Sequence, residues 1–138
     1  MTLAVYNKFN LFTDDLVKAV YNFGTDTFNV MLTNVAPVAT NHVLGDLTEI
    51  AAGNGYPAGG SPSAITLANV AGTETVTAAD VTFTATGGAI GPFRYAVIYD
   101  TTPVSPLKPL IAWWDYGSSI TLNNGEPFTV EPNAGTPD

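Results

Sequence analysis

The chain has 138 residues and no cysteine, and its four basic and twelve acidic side chains give a formal net charge of -8 at pH 7. The few scattered basic residues argue against direct nucleic-acid binding, and the lack of cysteine excludes disulfides and thiolate metal sites. A hydrophobic fraction of 46% in a chain of this length indicates one folded domain, 1–138.

The first predicted element is a helix over residues 13–23. Thr13 is a candidate N-cap, and two aspartates follow it in the first turn, where the helix dipole favours negative charge. Leu16, Val20 and Phe23 recur at helical spacing. We therefore expect one face of this helix to pack against a sheet.

A strand and a long irregular segment follow the helix. Alternation in TFNVMLTN, residues 27–34, predicts a half-buried strand. Residues 34–63 are rich in Gly, Pro and Ser and predict an irregular arm, in which GDLTEIAA is a candidate short helix. Tyr56 and Pro57 lie in this arm, and we expect them to dock against a neighbour.

The remaining sequence, residues 64–131, is predicted to be β-rich. Short runs of Val, Ile, Thr and aromatic residues are separated by turn residues, and NNG at 123–125 is a candidate hairpin turn. The predicted fold is mainly β, an antiparallel β-sandwich or partly closed barrel with one N-terminal helix. Residues 132–138 predict a polar C-terminal tail.

The glycines of GGAIGPFRYAVIYD, residues 87–100, raise the question of a phosphate-binding loop. Such loops open a helix, whereas here an alternating strand pattern follows. We therefore predict a bend leading into a strand. Arg94 in this stretch is the single arginine, and we expect an ion pair with Asp115 or Asp80; a pair between subunits is the alternative.

The sequence predicts no catalytic residue, metal site or cofactor. His42 is the single histidine and lies in a loop without a nucleophile motif, and no calcium-loop pattern occurs. The N-terminal residues lack a signal-peptide pattern, and no run of 18 apolar residues predicts a membrane span. We expect a protein that is not an enzyme.

Two adjacent tryptophans stand out in AWWDYG, residues 112–117. In a strand Trp113 and Trp114 point to opposite faces, so at least one is expected in the core. An exposed tryptophan here favours a protein interface over a sugar platform. The predicted interface residues are Tyr56, Pro57, Arg94, Trp113 and Trp114.

Several motifs, taken in order, resemble a family of small virion structural proteins of tailed bacteriophages. They are YNKF, GTDTFNVML, GNGYPAGG, DVTFTATGG, RYAVIYD and FTVEPNAG. The resemblance implies a capsid decoration, or cement, protein on the outside of the phage head, made in the host cytoplasm. Its implied partners are the major capsid protein and further copies of itself, as a homo-oligomer on the particle, with no nucleic acid and no membrane.

Two alternatives remain open at this point. One is a structural protein of the phage tail or neck, where subunits form rings by pairing strand edges. The other is a carbohydrate-binding module for host attachment, with Trp113 or Trp114, Tyr56 and Tyr116 as the contact residues.

Overall fold

The computed structural model describes residues 4–132, and this part of the chain contains one α-helix and nine strands. In chain order the elements are β1 (Tyr6–Lys8), α1 (Asn10–Val17), β2 (Phe28–Thr33), β3 (Ser61–Pro62), β4 (Ile65–Val70), β5 (Thr73–Ala78), β6 (Val81–Thr84), β7 (Ile90–Asp100), β8 (Leu110–Leu122) and β9 (Pro127–Val130).

The main sheet has five antiparallel strands in the order β1-β8-β7-β2-β3. Two-stranded antiparallel sheets, β4-β5 and β6-β9, accompany it. The predicted mainly β, antiparallel, sandwich-like fold with one N-terminal helix is confirmed. The five-stranded sheet is open, with β1 and β3 at its edges.

Strand β2 is buried on both faces of this sheet. Alternate residues Phe28, Val30 and Leu32 join the larger core cluster, which also contains residues of β6, β7 and β9. Met31, on the opposite face, packs in a second cluster with Val97, under residues of the segment that follows β2. The prediction of a half-buried strand was therefore wrong, because a covering segment lies on each face.

The second cluster is covered by a 3₁₀ turn at Leu44–Asp46, which replaces the short helix predicted in GDLTEIAA. Leu44 and Leu47 pack against the cluster. The carboxylate of Asp46 accepts the N–H groups of His42 and Val43 and so holds the turn together.

The helix runs from Asn10 to Val17, so the predicted bounds of 13–23 and the Thr13 cap were wrong. Buried Phe9 precedes the helix, with its ring 4.5 Å from that of Trp113. Tyr21 and Phe23 both join the main core, with Tyr21 donating a hydrogen bond to the Leu110 carbonyl and Phe23 stacking on Phe28.

On a helix, the side chains of residues i and i+2 point in directions about 200° apart, whereas in an extended chain they share one face. Tyr21 and Phe23 can therefore both pack on the core only if the helix ends before them. The predicted helix face is consequently lost: Leu16 is 43% exposed. Val20 and Phe23 pack against the core from positions beyond the helix.

The irregular arm, residues 34–63, continues the edge of β2. At the end of the arm, β3 pairs with β2 at Asn29 and Val30. Earlier in the arm, Glu49 forms an isolated β-bridge with Thr33. Between these points the Leu32 N–H donates to the Tyr56 hydroxyl over 2.9 Å, and the Ile50 N–H donates to the Leu32 carbonyl. The arm therefore satisfies the backbone of β2 where a further strand would otherwise pair.

Strands β4 and β5 form a two-stranded hairpin, called here the ribbon (residues 65–78). Its turn contains Ala71 and Gly72, both with positive φ, as in the tight turns that match strand twist. The predicted hairpin at NNG was wrong. β9, which follows that turn, pairs with β6 in a different sheet from β8, because Val130 and Phe83 complete the main core.

Of the tail predicted over 132–138, residues 133–138 lie outside the described part of the chain. Within residues 4–132, no helix has the length and apolar composition needed to cross a bilayer.

The close contact between the arm and β2 makes Gly60 a critical position. Gly60 has φ +79°, and a Cβ there would overlap the Val30 carbonyl oxygen. We predict that Gly60→Ala lowers the free energy of unfolding by about 3 kcal/mol or more. Gly72→Ala is the matched control, since Gly72 has φ +86° with open space around it. Its expected cost is about 1 kcal/mol. Urea denaturation measures both, and equal losses would contradict the close packing of arm on strand.

Candidate functional site

The structure separates the predicted interface residues. Tyr56 is 2% exposed, and its hydroxyl donates to Glu49 Oε1 while accepting from the Leu32 N–H. Its ring packs 5.3 Å from that of Phe83. Tyr56 was therefore wrong as a docking residue, because it closes the arm onto the chain's own core. Pro57, beside it, is exposed.

Arg94 forms the predicted ion pair with Asp115 within the chain. Its Nε and Nη2 donate to the two carboxylate oxygens over 2.7 and 3.0 Å. The guanidinium holds the pKa of Asp115 below its ordinary value, chiefly through these hydrogen bonds. The pair is partly exposed, so its own contribution to stability is small.

Trp113 and Trp114 lie on opposite faces of β8, as predicted, and both are partly buried. Trp113 packs in the cluster that contains Phe9 and Met31. Trp114 packs against the main core on the other face and lines two clefts. Trp114 is thus the tryptophan that an external molecule can reach through a cleft.

The first cleft, called here the aromatic cleft, has a volume of about 500 Å³ and lies where β7, β8 and β9 meet. Its aromatic and charged walls include Phe93, Arg94, Trp114, Tyr116, Phe128 and Glu131. Tyr116 meets the Phe128 ring edge to face at 5.5 Å, and Phe128 meets buried Phe93 in the same way at 5.0 Å. The cleft therefore has aromatic walls that are fixed by packing.

The second cleft, of about 720 Å³, lies between the ribbon and α1. Phe12 and Leu16 line one side, Leu67 and Val76 line the ribbon side, and Trp114 is shared with the aromatic cleft. Its walls are mostly apolar. The sequence pattern gave no signal for this cleft, because its walls come from elements that are far apart in the sequence.

The ribbon is the most exposed strand pair of the described structure. Ile65 packs against the core at its base, but from Thr66 to Glu74 every residue of its two strands and turn is exposed. Val70, near the tip, is 72% exposed. Among residues 4–132, no third strand pairs with β4 or β5. Both strands therefore present an edge that is free to pair with another chain.

The ribbon also differs from the rest of the chain in charge. Residues 65–78 contain one charged side chain, Glu74, which accepts a hydrogen bond from Asn69 across the strands. Twelve acidic side chains are present in the whole chain. The remaining exposed surface of the ribbon consists mainly of threonine, alanine and valine.

The most strongly perturbed acid of the described residues is Asp100, at the end of β7. It is fully buried, Oδ1 accepts the Thr102 N–H over 3.0 Å, and Oδ2 has no donor within the described chain. Burial raises the pKa of Asp100 to about 7, and the carboxyl of Asp26 raises it further against the opposing Thr102 hydrogen bond. Asp100 lines neither cleft, so its protonation affects the stability of the core and not a binding site.

His42 does not form part of a metal or nucleophile cluster in the described structure. Its Nε2 lies 2.6 Å from Asp15 Oδ2, which ties the arm to α1. Within residues 4–132, no group of three or more His, Cys, Asp and Glu side chains is arranged to hold a metal ion.

Comparison of this chain with models of protein families, with curated proteins and with solved structures gives no match.

The buried carboxyl of Asp100 predicts a specific pH dependence of stability. The folded state keeps this proton up to about pH 7, whereas an ordinary aspartate releases it near 3.8. The free energy of unfolding should therefore fall as the pH rises between these values and stay level above them. We predict that Asp100→Asn removes this slope and raises stability at pH 8.

Urea denaturation of both proteins at pH 5 and pH 8 measures the effect. Asp80→Asn, at an exposed aspartate, is the control and should keep the wild-type slope. A wild-type slope in Asp100→Asn would show that this carboxyl is already ionised in the folded protein.

Proposed function

We propose that this chain is a non-enzymatic structural protein of a tailed-phage virion that binds its neighbours through the ribbon. The more specific proposal is a decoration, or cement, protein on the outside of the head, in contact with the major capsid protein and with further copies of itself. The free edges of the ribbon support the part of this proposal that concerns binding to neighbouring subunits. The phage assignment rests on the family resemblance of the sequence motifs.

Strand pairing is the binding mode that the ribbon supports best. A free edge presents unpaired N–H and C=O groups, and an extended segment of another chain can add to it as a further strand. Proteins that avoid such pairing usually place Lys or Pro on the edge or shorten the strand. The ribbon has two six-residue strands, and residues 65–78 contain neither Lys nor Pro.

The charge distribution supports the same surface. Copies with a formal charge of -8 repel each other at long range. Close contact is least costly where the charge is sparse, and the ribbon carries only Glu74. Exposed Val70 and Leu67 add apolar area there. On a particle with many copies, weak contacts of this kind add up.

A tail or neck location is the second candidate, and the same free edges support it. Strand pairing from copy to copy around an axis would give a closed ring. The two candidates differ in where the chain lies on the particle, and electron microscopy of purified virions distinguishes them. Density on the outer capsid lattice supports decoration, and density on the tail axis supports the second candidate. Absence from the virion would exclude both.

We predict that Val70→Lys weakens binding to capsids of the same virus by about tenfold or more, because a charge would be buried beside the pairing edge. The measurement is co-sedimentation of the purified protein with capsids that lack it. Val104→Lys is the matched control, since Val104 is an 81% exposed valine outside the ribbon. It should bind as the wild type does.

Equal loss in both variants would show that the effect of the lysine is not specific to the ribbon and would count against this proposal. Wild-type binding by Val70→Lys would remove the ribbon from the proposal.

A further inference from the structure

We infer that the aromatic cleft is a binding site for a neutral pyranose sugar, such as a terminal or internal hexose of a host glycan. This site contains no residue of the ribbon, and it shares only Trp114 with the cleft that the ribbon lines. Its volume of about 500 Å³ falls in the range of small-molecule sites.

The walls of the cleft offer the apolar half of sugar recognition. The C–H face of a pyranose ring stacks on an aromatic ring, and Tyr116 provides one that is 54% exposed. Tyr116 is supported by Phe128, which in turn rests on buried Phe93. Because the Phe128 and Phe93 rings are held by packing, the Tyr116 ring loses little conformational freedom when a ligand binds.

Arg94 and Glu131, which both line the cleft, offer the polar half. Two of the five guanidinium N–H donors of Arg94 bind Asp115, so three remain to donate to sugar hydroxyls. The Glu131 carboxylate is an acceptor on the wall of the same cleft. A pyranose, whose hydroxyls both donate and accept hydrogen bonds, matches this set of groups.

The charge of the cleft selects a neutral ligand. Asp115 compensates the charge of Arg94, and Glu131 on the wall leaves the site with a net negative charge. Phosphate, sulfate and sialic acid are anions, so the Glu131 carboxylate would repel them. The charge of Arg94 is already balanced by Asp115 and would not offset this repulsion. A purely apolar ligand would leave the guanidinium and carboxylates without hydrogen bonds.

The earlier set of sugar-contact residues changes accordingly. Tyr56 is buried in the arm and Trp113 packs in the opposite cluster, so neither reaches the aromatic cleft. Trp114 and Tyr116 remain from that set, and Arg94, Phe128 and Glu131 join them.

The test is an array of neutral oligosaccharides built from glucose, galactose, mannose and N-acetylglucosamine, with sialylated and sulfated forms as charged comparators. The isolated 138-residue protein should bind at least one neutral structure more tightly than its charged form. We predict that Tyr116→Ala lowers that affinity by about fivefold or more through loss of stacking. Tyr116→Phe keeps the ring and should retain most of it.

Tyr6→Ala is the matched control. Tyr6 is also an exposed tyrosine and its ring contacts Trp114, but it lines the other cleft. This variant should bind as the wild type does. No binding to any neutral glycan, binding only to charged forms, or equal affinity of Tyr116→Ala and the wild type would each overturn the inference.

A second measurement does not depend on a variant at the stacking residue. In NMR titration with the best glycan of the array, the Trp114 indole N–H signal should shift while that of Trp113 stays in place. Trp113→Phe assigns the two signals. A shift of Trp113 alone, or of neither signal, would place the ligand elsewhere or exclude it. Because the assay uses isolated protein, its result is independent of whether the ribbon binds capsids.

Discussion

The hydrogen bond from the Leu32 N–H to the Tyr56 hydroxyl sets the arrangement of the rest of the structure. It fixes the middle of a long, irregular arm to the edge of a buried strand. Glu49 strengthens this attachment, since its carboxylate accepts from both the Tyr56 hydroxyl and the Gly59 N–H. Buried without these partners, the phenol and the strand amide would each carry a desolvation cost. An arm rich in Gly and Pro therefore becomes part of the core.

Closure of that edge determines which surfaces remain for partners. With the arm along β2, the longest strands that have only one neighbour in the described chain are β4 and β5 of the ribbon. Trp114 stands between two clefts, one beside the ribbon and one with aromatic and charged walls. The proposed strand-pairing surface and the proposed sugar site therefore lie on separate parts of one fold, so the two proposals are compatible.

The sequence pattern predicted features that depend on residues close together in the chain, such as strands. It missed contacts between segments that are far apart in the chain. Alternation identified β2 and β7, and the single arginine predicted an ion pair with Asp115 or Asp80, of which Asp115 is the partner. The helix bounds were wrong because Tyr21 and Phe23 gain more by packing on the sheet than by continuing the helix. Tyr56 in a Gly-rich loop gave no sign that its hydroxyl would meet a strand amide 24 residues away. The aromatic cleft combines residues of several strands, so no single motif contains it.

The most direct test of closure of the arm onto β2 is amide hydrogen exchange in the isolated 138-residue protein. Closure predicts slow exchange at Leu32 and at Gly60, whose N–H donates to the Pro57 carbonyl. Fast exchange is expected at the outward-facing amides of the exposed part of the ribbon, residues 66–74, where no third strand of the described chain pairs. Fast exchange in the arm together with uniform protection of the ribbon would contradict it, since the arm would then be the free segment.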